Sequence, residues 1–208
     1  MRSVNIIFYV LFFYSSLYSD ESVEYLTFVD EIVNKFTIEM KDEYNMYCVG
    51  DGGCLAKNVE NIDIMFEARY RATIDDARKI AVKGVQKLIG LINSHEKIRP
   101  FLNRYPFTEQ DVSLSISFCD STEWWYTDES VAHMLAAIGK IFYKKAEWTT
   151  ETYWPKIDLT KNPPVYEPAK PETIIKLFPL LEESFEDAAK LTDKNNCPLK
   201  FKDIENEI

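Results

Sequence analysis

A stretch of alternating side chains, Ile62 to Thr73, constrains the fold of this chain more than any other feature. Apolar side chains stand at nearly every second position, and mostly charged side chains fill the positions between them. Such a strand buries one face on a core and leaves the other in water, which is typical of a mainly antiparallel sheet. A second alternating stretch, Val112 to Cys119, has serine at most of its polar positions. Both stretches predict strands.

Amphipathic helices are predicted around these strands. Apolar residues at three- and four-residue spacing predict a helix from Ser22 to about Met46, followed by a loop at Gly50–Gly53. Thr73 can cap a helix over 74–94, and Asp75 and Asp76 suit its positive end. Residues 73–77 have a hydroxyl residue, an apolar residue, two acids and an alanine in that order, and the stretch from Ser184 to Ala188 has the same order. This second stretch predicts a helix over 185–193.

The segment from Val131 to Trp148 fits two structures. Val131, Leu135, Ile138 and Phe142 have helical spacing, but a hairpin that turns near Gly139 suits the Ile-Phe-Tyr sequence better. We predict the hairpin. The expected fold class is therefore α+β, with an N-terminal helix and a largely antiparallel sheet covered on one face by helices.

The length of 208 residues suits a single domain, and 46% apolar residues suffice for a core. We expect this domain to span residues 20–208. Residues 149–171 hold five of the nine prolines and predict an extended arm on the surface.

The N-terminal residues have the pattern of a secretory signal peptide at 1–19. Arg2 precedes nine apolar or aromatic residues, Ile6 to Tyr14, and small serines follow them. Leu17 at −3 and Ser19 at −1 place the expected cleavage before Asp20. The apolar run is shorter than the ~20 residues of a membrane span. We therefore expect an exported, periplasmic or extracellular protein with no transmembrane segment in the mature chain.

Four cysteines in an exported chain suggest two disulfides. Cys48 and Cys54 bracket a flexible glycine-rich stretch, which favours a Cys48–Cys54 bridge and leaves Cys119 to pair with Cys197. The other pairings and free thiols stay open. The cysteine spacing does not fit a zinc site, and neither histidine lies near it, so no metal is predicted.

The formal charge of −10 argues against a nucleic-acid partner, which would require a basic surface. No nucleotide loop, dinucleotide fingerprint or nucleophile elbow occurs in the sequence, so no cofactor is expected. Paired acids such as Glu182-Glu183 have the residue types of a glycosidase, but an acidic helix entry accounts for them equally.

Three segments resemble a family of exported bacterial proteins of unassigned activity. They are the T-I-D-D-A-R unit at 73–78, the stretch I-N-S-H-E-K-I-R-P-F-L-N-R-Y-P-F at 92–107, and E-S-F-E-D-A at 183–188. The resemblance implies a bacterial secretory setting and strands over 130–147. It implies no site residue.

Two stretches are candidate contact surfaces. Trp124, Trp125 and Tyr126 stand in an acidic turn, and three consecutive large aromatics cannot all face one core, so at least one is expected at the surface. The connection from Arg99 to Phe107 carries Arg99, Arg104 and Tyr105, and arginine and tyrosine are enriched at interface centres. The structural alternative for the three aromatic residues is packing against the proline-rich arm. For the connection, the alternative is that its apolar residues cover the open end of the core.

The sequence thus predicts an exported, non-catalytic binding or interaction protein whose partner is a protein or a carbohydrate. The alternative is a secreted hydrolase whose catalytic groups are scattered in sequence. Such an enzyme would need His95 or His133, the only two histidines, as its base.

Overall fold

The computed structural model describes residues 21–122, 124–152, 156–158, 160–161, 165–167 and 171–194. Its elements in chain order are α1 (Glu21–Tyr44), β1 (Met46–Cys54), β2 (Asn61–Ala68), α2 (Ile74–Ser94), a 3₁₀ helix (Glu96–Phe101), β3 (Val112–Phe118), β4 (His133–Ala137), β5 (Lys140–Thr152), β6 (Lys156–Asp158), β7 (Val165–Glu167), β8 (Pro171–Ser184) and α3 (Phe185–Lys194). The predicted leader and Cys197 lie outside the described residues.

Six strands form one sheet in the order β1-β2-β3-β4-β5-β8. Strands β2 and β3 are parallel because helix α2 carries the chain back between them, and the other neighbours are antiparallel. The predicted α+β class with a largely antiparallel sheet is confirmed. Within the predicted proline-rich arm, β6 and β7 pair as a separate two-stranded sheet.

The predicted hairpin over 131–148 is confirmed as β4 and β5. Ile138 and Gly139 form its two-residue turn, and both have positive φ values, 48° and 69°. Two consecutive residues of this kind match the twist of the strands they join. Ile141 and Tyr143 are fully buried, as the hairpin requires.

The core contacts join helices to the alternating strands. The ring of Phe36 on α1 packs edge-on against Phe66 of β2, with centroids 5.9 Å apart. Gly84 of α2 lies against Leu114 of β3 and Met40 of α1. Phe66 and Leu114 point to the same side of the sheet, since both belong to the buried set of the parallel β2–β3 pair.

Both predicted helix caps occur. Thr73 accepts the Asp76 amide through its hydroxyl while the Asp76 carboxylate accepts the Thr73 amide, which makes a capping box at α2. The Ser184 hydroxyl accepts the Asp187 amide at 3.1 Å where α3 begins. Helix α1 ends at Tyr44 because Asn45 adopts a left-handed conformation with φ of 49°.

The glycine-rich stretch that the sequence predicts as a loop is instead part of strand β1, paired with β2 from Met46 to Cys54 with a bulge between Cys48 and Gly50. The predicted Cys48–Cys54 disulfide is therefore wrong for this structure, and both thiols are free. Six positions of extended strand separate their Cα atoms by about 20 Å, far beyond the reach of a disulfide. The Cys119–Cys197 pairing stays a prediction, because Cys197 is not described.

Within the described part of the chain, none of the helices combines the length and the apolar character needed to cross a membrane.

Candidate functional site

The turn that carries Trp124 is held by the carboxylate of Asp120. One Asp120 oxygen accepts the Thr122 amide at 2.8 Å, the Thr122 hydroxyl at 2.6 Å and the Trp124 amide at 3.2 Å. The hydrogen bond from the Thr122 hydroxyl, followed by those from the two amides, lowers the pKa of Asp120. The turn therefore has a defined local conformation at neutral pH.

Arg71 holds the other side of the same turn. Its guanidinium carbon lies 4.3 Å from the centroid of the Tyr126 ring, and its Nε donates to Asp128 at 2.9 Å. Asp128 in turn accepts the Ser130 amide at 2.8 Å. Asp120 and Asp128 thus both fix the backbone of the turn.

The three aromatic residues of the turn differ in exposure. Trp124 is 60% exposed, and Tyr126 is buried beneath Arg71 at 9%. Trp125 is half-buried and pairs with Cys119 in an antiparallel bridge. Directly opposed residues in such a bridge point to the same face, so Trp125 stands beside the buried Cys119. Of the three predicted contact residues, Trp124 is the one that faces solvent.

The connection from Arg99 to Phe107 is tied to the end of α2. The side-chain amide of Asn93 donates to the Phe107 carbonyl at 3.0 Å and accepts the Phe107 amide at 2.8 Å. Ile98, Leu102 and Phe107 are buried at this end of the core. The apolar part of the connection therefore covers the core, as the structural alternative expects.

The polar residues of this connection also have internal partners. Arg104 forms an ion pair with the buried Asp111, and Arg99 donates to the Asn93 carbonyl at 3.1 Å. The guanidinium of Arg99 lies 5.1 Å from the ring centroid of Tyr105, whose side chain is 52% exposed. Tyr105 is the aromatic residue of this predicted surface that stays exposed, since Phe101 is half-buried and Phe107 is buried.

The two predicted surfaces lie at opposite ends of β3. The Arg99–Phe107 connection precedes Val112, whereas the segment 120–130, which carries Trp124 and is here called the tryptophan turn, follows Phe118. Six strand steps separate these ends by about 20 Å. The structure does not bring them into one site.

The strand register creates a polar row that sequence reasoning missed. Glu67 of β2, Ser117 of β3, His133 of β4 and Lys144 of β5 stand side by side on the face opposite the core. The alternation of β2 and β3 is sufficient to predict that Glu67 and Ser117 face away from the core. The position of His133 beside them becomes known only from the pairing of β3 with β4. The row lies directly beside the tryptophan turn.

His133 is the histidine of this row. Burial, with the positive charge of Lys144 as a second cause, lowers the pKa of His133 to about 4. Its Nδ1 lies 3.1 Å from the Met134 carbonyl, which accepts a hydrogen bond when that nitrogen carries the proton. His133 is consequently neutral at physiological pH.

His95 has a different setting. It helps to line a shallow groove of about 240 Å³ between α1 and the end of α2. Its Nε2 lies 3.4 Å from a Glu31 oxygen, and its ring contacts Phe28. Ser94 lines the same groove, and its hydroxyl donates to the Leu91 carbonyl at 3.1 Å.

The adjacent acids Glu182 and Glu183 point to opposite faces of β8. Glu182 pairs with Lys140 at the surface, while Glu183 is 12% exposed and accepts Arg78 Nε and the Tyr143 hydroxyl, each at 2.7 Å. The two carboxylates therefore do not face one cleft. Within the described residues, no three side chains of the His, Cys, Asp or Glu types form a group that could hold a metal ion.

Comparison with known proteins gives no relative: no family model, curated protein or solved structure matches this chain. The resemblance to exported bacterial proteins stays a prediction from the three segments that carry it.

Proposed function

We propose that this chain is an exported, non-catalytic binding protein that contacts a protein or carbohydrate partner through the tryptophan turn, residues 120–130. The observation that carries this proposal is the 60% exposure of Trp124 on a turn held from both sides by Asp120 and Arg71. A turn backbone that is already held loses little conformational freedom on binding, and tryptophan is among the residue types enriched at energetic interface centres.

The proposal includes the finer architecture predicted from the sequence. Helices α1 and α2 cover one face of the sheet, and the opposite face, with its polar row, stays available beside the turn. The contacts of Phe36 with Phe66 and of Gly84 with Leu114 support this arrangement.

Export is the second part of the proposal, and it rests on the pattern of residues 1–19. Intact-mass analysis of natively produced material tests it directly. We expect a chain that begins at Asp20; a mass that retains Met1 would refute cleavage at this site.

Two tryptophans with equal exposure provide a matched test of the turn. Trp124 and Trp148 are each 60% exposed, but Trp148 lies on β5 outside the turn. We expect Trp124→Ser to abolish retention of the partner in a pull-down with the mature protein, while Trp148→Ser retains it. Equal retention by both variants would remove the turn as the contact surface. Trp125 is left unchanged because it is half-buried.

The hydrolase alternative has one observation in its favour, since Ser117 lies directly opposite the neutral His133. However, β3 and β4 are both interior strands, so their amides belong to the sheet ladder and cannot hold an oxyanion. If the hydrolase reading were right, Ser117→Ala would abolish turnover of an activated ester such as p-nitrophenyl acetate. We expect no turnover above that of the Ser117→Ala variant.

A further inference from the structure

Three serines form a column on the sheet face opposite the core. Ser113, Ser115 and Ser117 alternate with the fully buried or nearly buried residues of β3, and all three are half-buried. Their hydroxyls have no hydrogen-bond partner among the described residues, although solvent reaches them. Small side chains in mid-sheet lower the surface along β3 relative to the larger side chains beside it.

Larger residues on the neighbouring strands wall this column on both sides. On β2, Asp63, Met65 and Glu67 stand level with the three serines. On β4, Leu135 lies opposite Ser115 and His133 opposite Ser117. With strands about 4.8 Å apart, the walls are separated by about 10 Å. We call this depression, with the serines as its floor, the serine trough.

The trough offers hydroxyl, carboxylate and imidazole groups next to apolar ones. Met65 is 49% exposed, and Leu135 is half-buried on the face away from the main core cluster. A ligand that presents several hydroxyls together with C–H faces meets both kinds of surface at once, because the serine hydroxyls can donate and accept while the carboxylates accept. Carbohydrates have this combination.

The charge of the walls favours a neutral ligand. Asp63 and Glu67 bring negative charge to one wall, where Glu67 pairs with Arg69 at 2.9 Å. Lys144 stands beside His133 on the other side, and burial keeps the pKa of His133 at about 4, so the imidazole opposite Ser117 is neutral at physiological pH. Charges of both signs thus border the trough, and a neutral ligand is favoured because it does not require a surface of a single sign.

We propose that the serine trough binds a neutral oligosaccharide lying along β3, with the tryptophan turn at one end of the site. This inference rests on the proposed binding function and names its ligand class. Trp125 supports it, because its pairing with Cys119 places the half-buried indole on the trough face just beyond Ser117.

The test is calorimetric titration of the mature protein with neutral hexasaccharides of glucose, xylose, mannose and N-acetylglucosamine. Oligogalacturonate and pentalysine serve as charged comparison probes. Ser115→Arg fills the middle of the trough, and Thr150→Arg is the matched control at an exposed position of β5. Glu67→Gln changes one wall with no added bulk, which provides a second variant if Ser115→Arg does not fold by circular dichroism.

We expect one neutral oligosaccharide to bind, with an affinity lowered about tenfold or more by Ser115→Arg, the loss that corresponds to one or two hydrogen bonds. Glu67→Gln should lower it in the same direction, and Thr150→Arg should leave it within about twofold.

Absence of binding to every neutral oligosaccharide would overturn the inference, as would binding of pentalysine alone that Ser115→Arg removes. The pull-down with Trp124→Ser tests the proposed function separately. If Trp124→Ser still abolishes retention of a partner while no sugar binds, the turn remains a contact surface and only the carbohydrate assignment fails.

Discussion

The guanidinium carbon of Arg71 lies over the ring of Tyr126, 4.3 Å from its centroid, and connects the segment after β2 to the tryptophan turn. Arg71 also pairs with Asp128 across the same turn. One side chain thus makes a cation–π contact and an ion pair that together restrain the segment presenting Trp124.

Replacing Arg71 with lysine separates these two contacts. Arg71→Lys keeps the charge beside Asp128 but loses the planar guanidinium group that contacts the Tyr126 ring. Because an exposed cation–π contact contributes about 0.5–1 kcal/mol, we expect chymotrypsin to cut the native turn about two to five times faster. Arg99→Lys is the control, since Arg99 covers Tyr105 at the other end of β3. Equal acceleration at the turn in both variants would contradict a local role for Arg71.

The buried imidazole predicts a loss of stability in mild acid. His133 titrates near 6.5 in the unfolded chain but only at about 4 in the folded one. Below about pH 6.5 the unfolded state therefore binds a proton that the folded state refuses, and stability falls as the pH is lowered toward 4.

Urea titrations at about pH 7.5 and about pH 5 measure this effect. The His133 contribution to the decrease in unfolding free energy is about 2 kcal/mol. We expect His133→Gln to reduce the difference between the two pH values by that amount. An identical pH dependence in the variant would show that other groups cause it.

Two glycines of α2 should respond to alanine in opposite directions. A Cβ at Gly84 would lie 2.7 Å from Leu114 Cδ2 and 3.1 Å from Met40 Cε, whose side chains are fully buried. Overpacking exceeds the gain in helix propensity, so Gly84→Ala should lower the unfolding free energy by about 1 kcal/mol. Gly90 has nothing within 4 Å of such a Cβ, and Gly90→Ala should raise it by about 0.5–1 kcal/mol. Urea denaturation measures the sign of each change in unfolding free energy. An increase in stability from both substitutions would contradict close packing at Gly84.

The neighbours Glu182 and Glu183 provide a further matched pair. Glu183 and Arg78 are 12% and 11% exposed, so Glu183→Gln leaves a buried guanidinium with weaker compensation. We expect a loss of about 3 kcal/mol in unfolding free energy. Glu182→Gln breaks a surface pair with Lys140 and should cost at most about 1 kcal/mol. Thermal or urea unfolding measures both losses. Similar losses of unfolding free energy in the two variants would contradict the burial of Glu183.

The free thiols of β1 can be checked by alkylation of the native protein. Both Cys48 and Cys54 are exposed, so iodoacetamide should label both without denaturant. Burial raises the pKa of Cys48, and the hydrogen bond to Glu60 raises that of Cys54, so labelling should accelerate as the pH rises. A peptide in which a disulfide links Cys48 and Cys54 would contradict the extended strand β1.

Local patterns were sufficient to predict the elements whose signals lie within one segment. Alternation identified β2 and β3, and the capping residues Thr73 and Ser184 identified the starts of α2 and α3. The hairpin at Gly139 followed from the preference of Ile-Phe-Tyr for strands. Each of these depends on side chains a few residues apart.

Strand β1 and the polar row could not be predicted in this way. Glycine is unfavourable in strands, so Gly50 to Gly53 suggested a loop, and the pairing with β2 that overrides this preference is a tertiary effect. The disulfide prediction failed for the same reason, since it assumed a closed turn. The neighbourhood of Ser117 and His133 depends on the register of β3 and β4, which no single segment specifies.

The glycine-rich β1 stands at the rim of the main sheet, and its outer side meets no other strand in the part of the chain that the structure describes. A regular apolar rim would invite another molecule to extend the ladder, but here a bulge after Cys48 and the charge of Asp51 interrupt it. The consequence is colloidal: copies of this chain are less prone to pair rim to rim along β1 as their concentration rises.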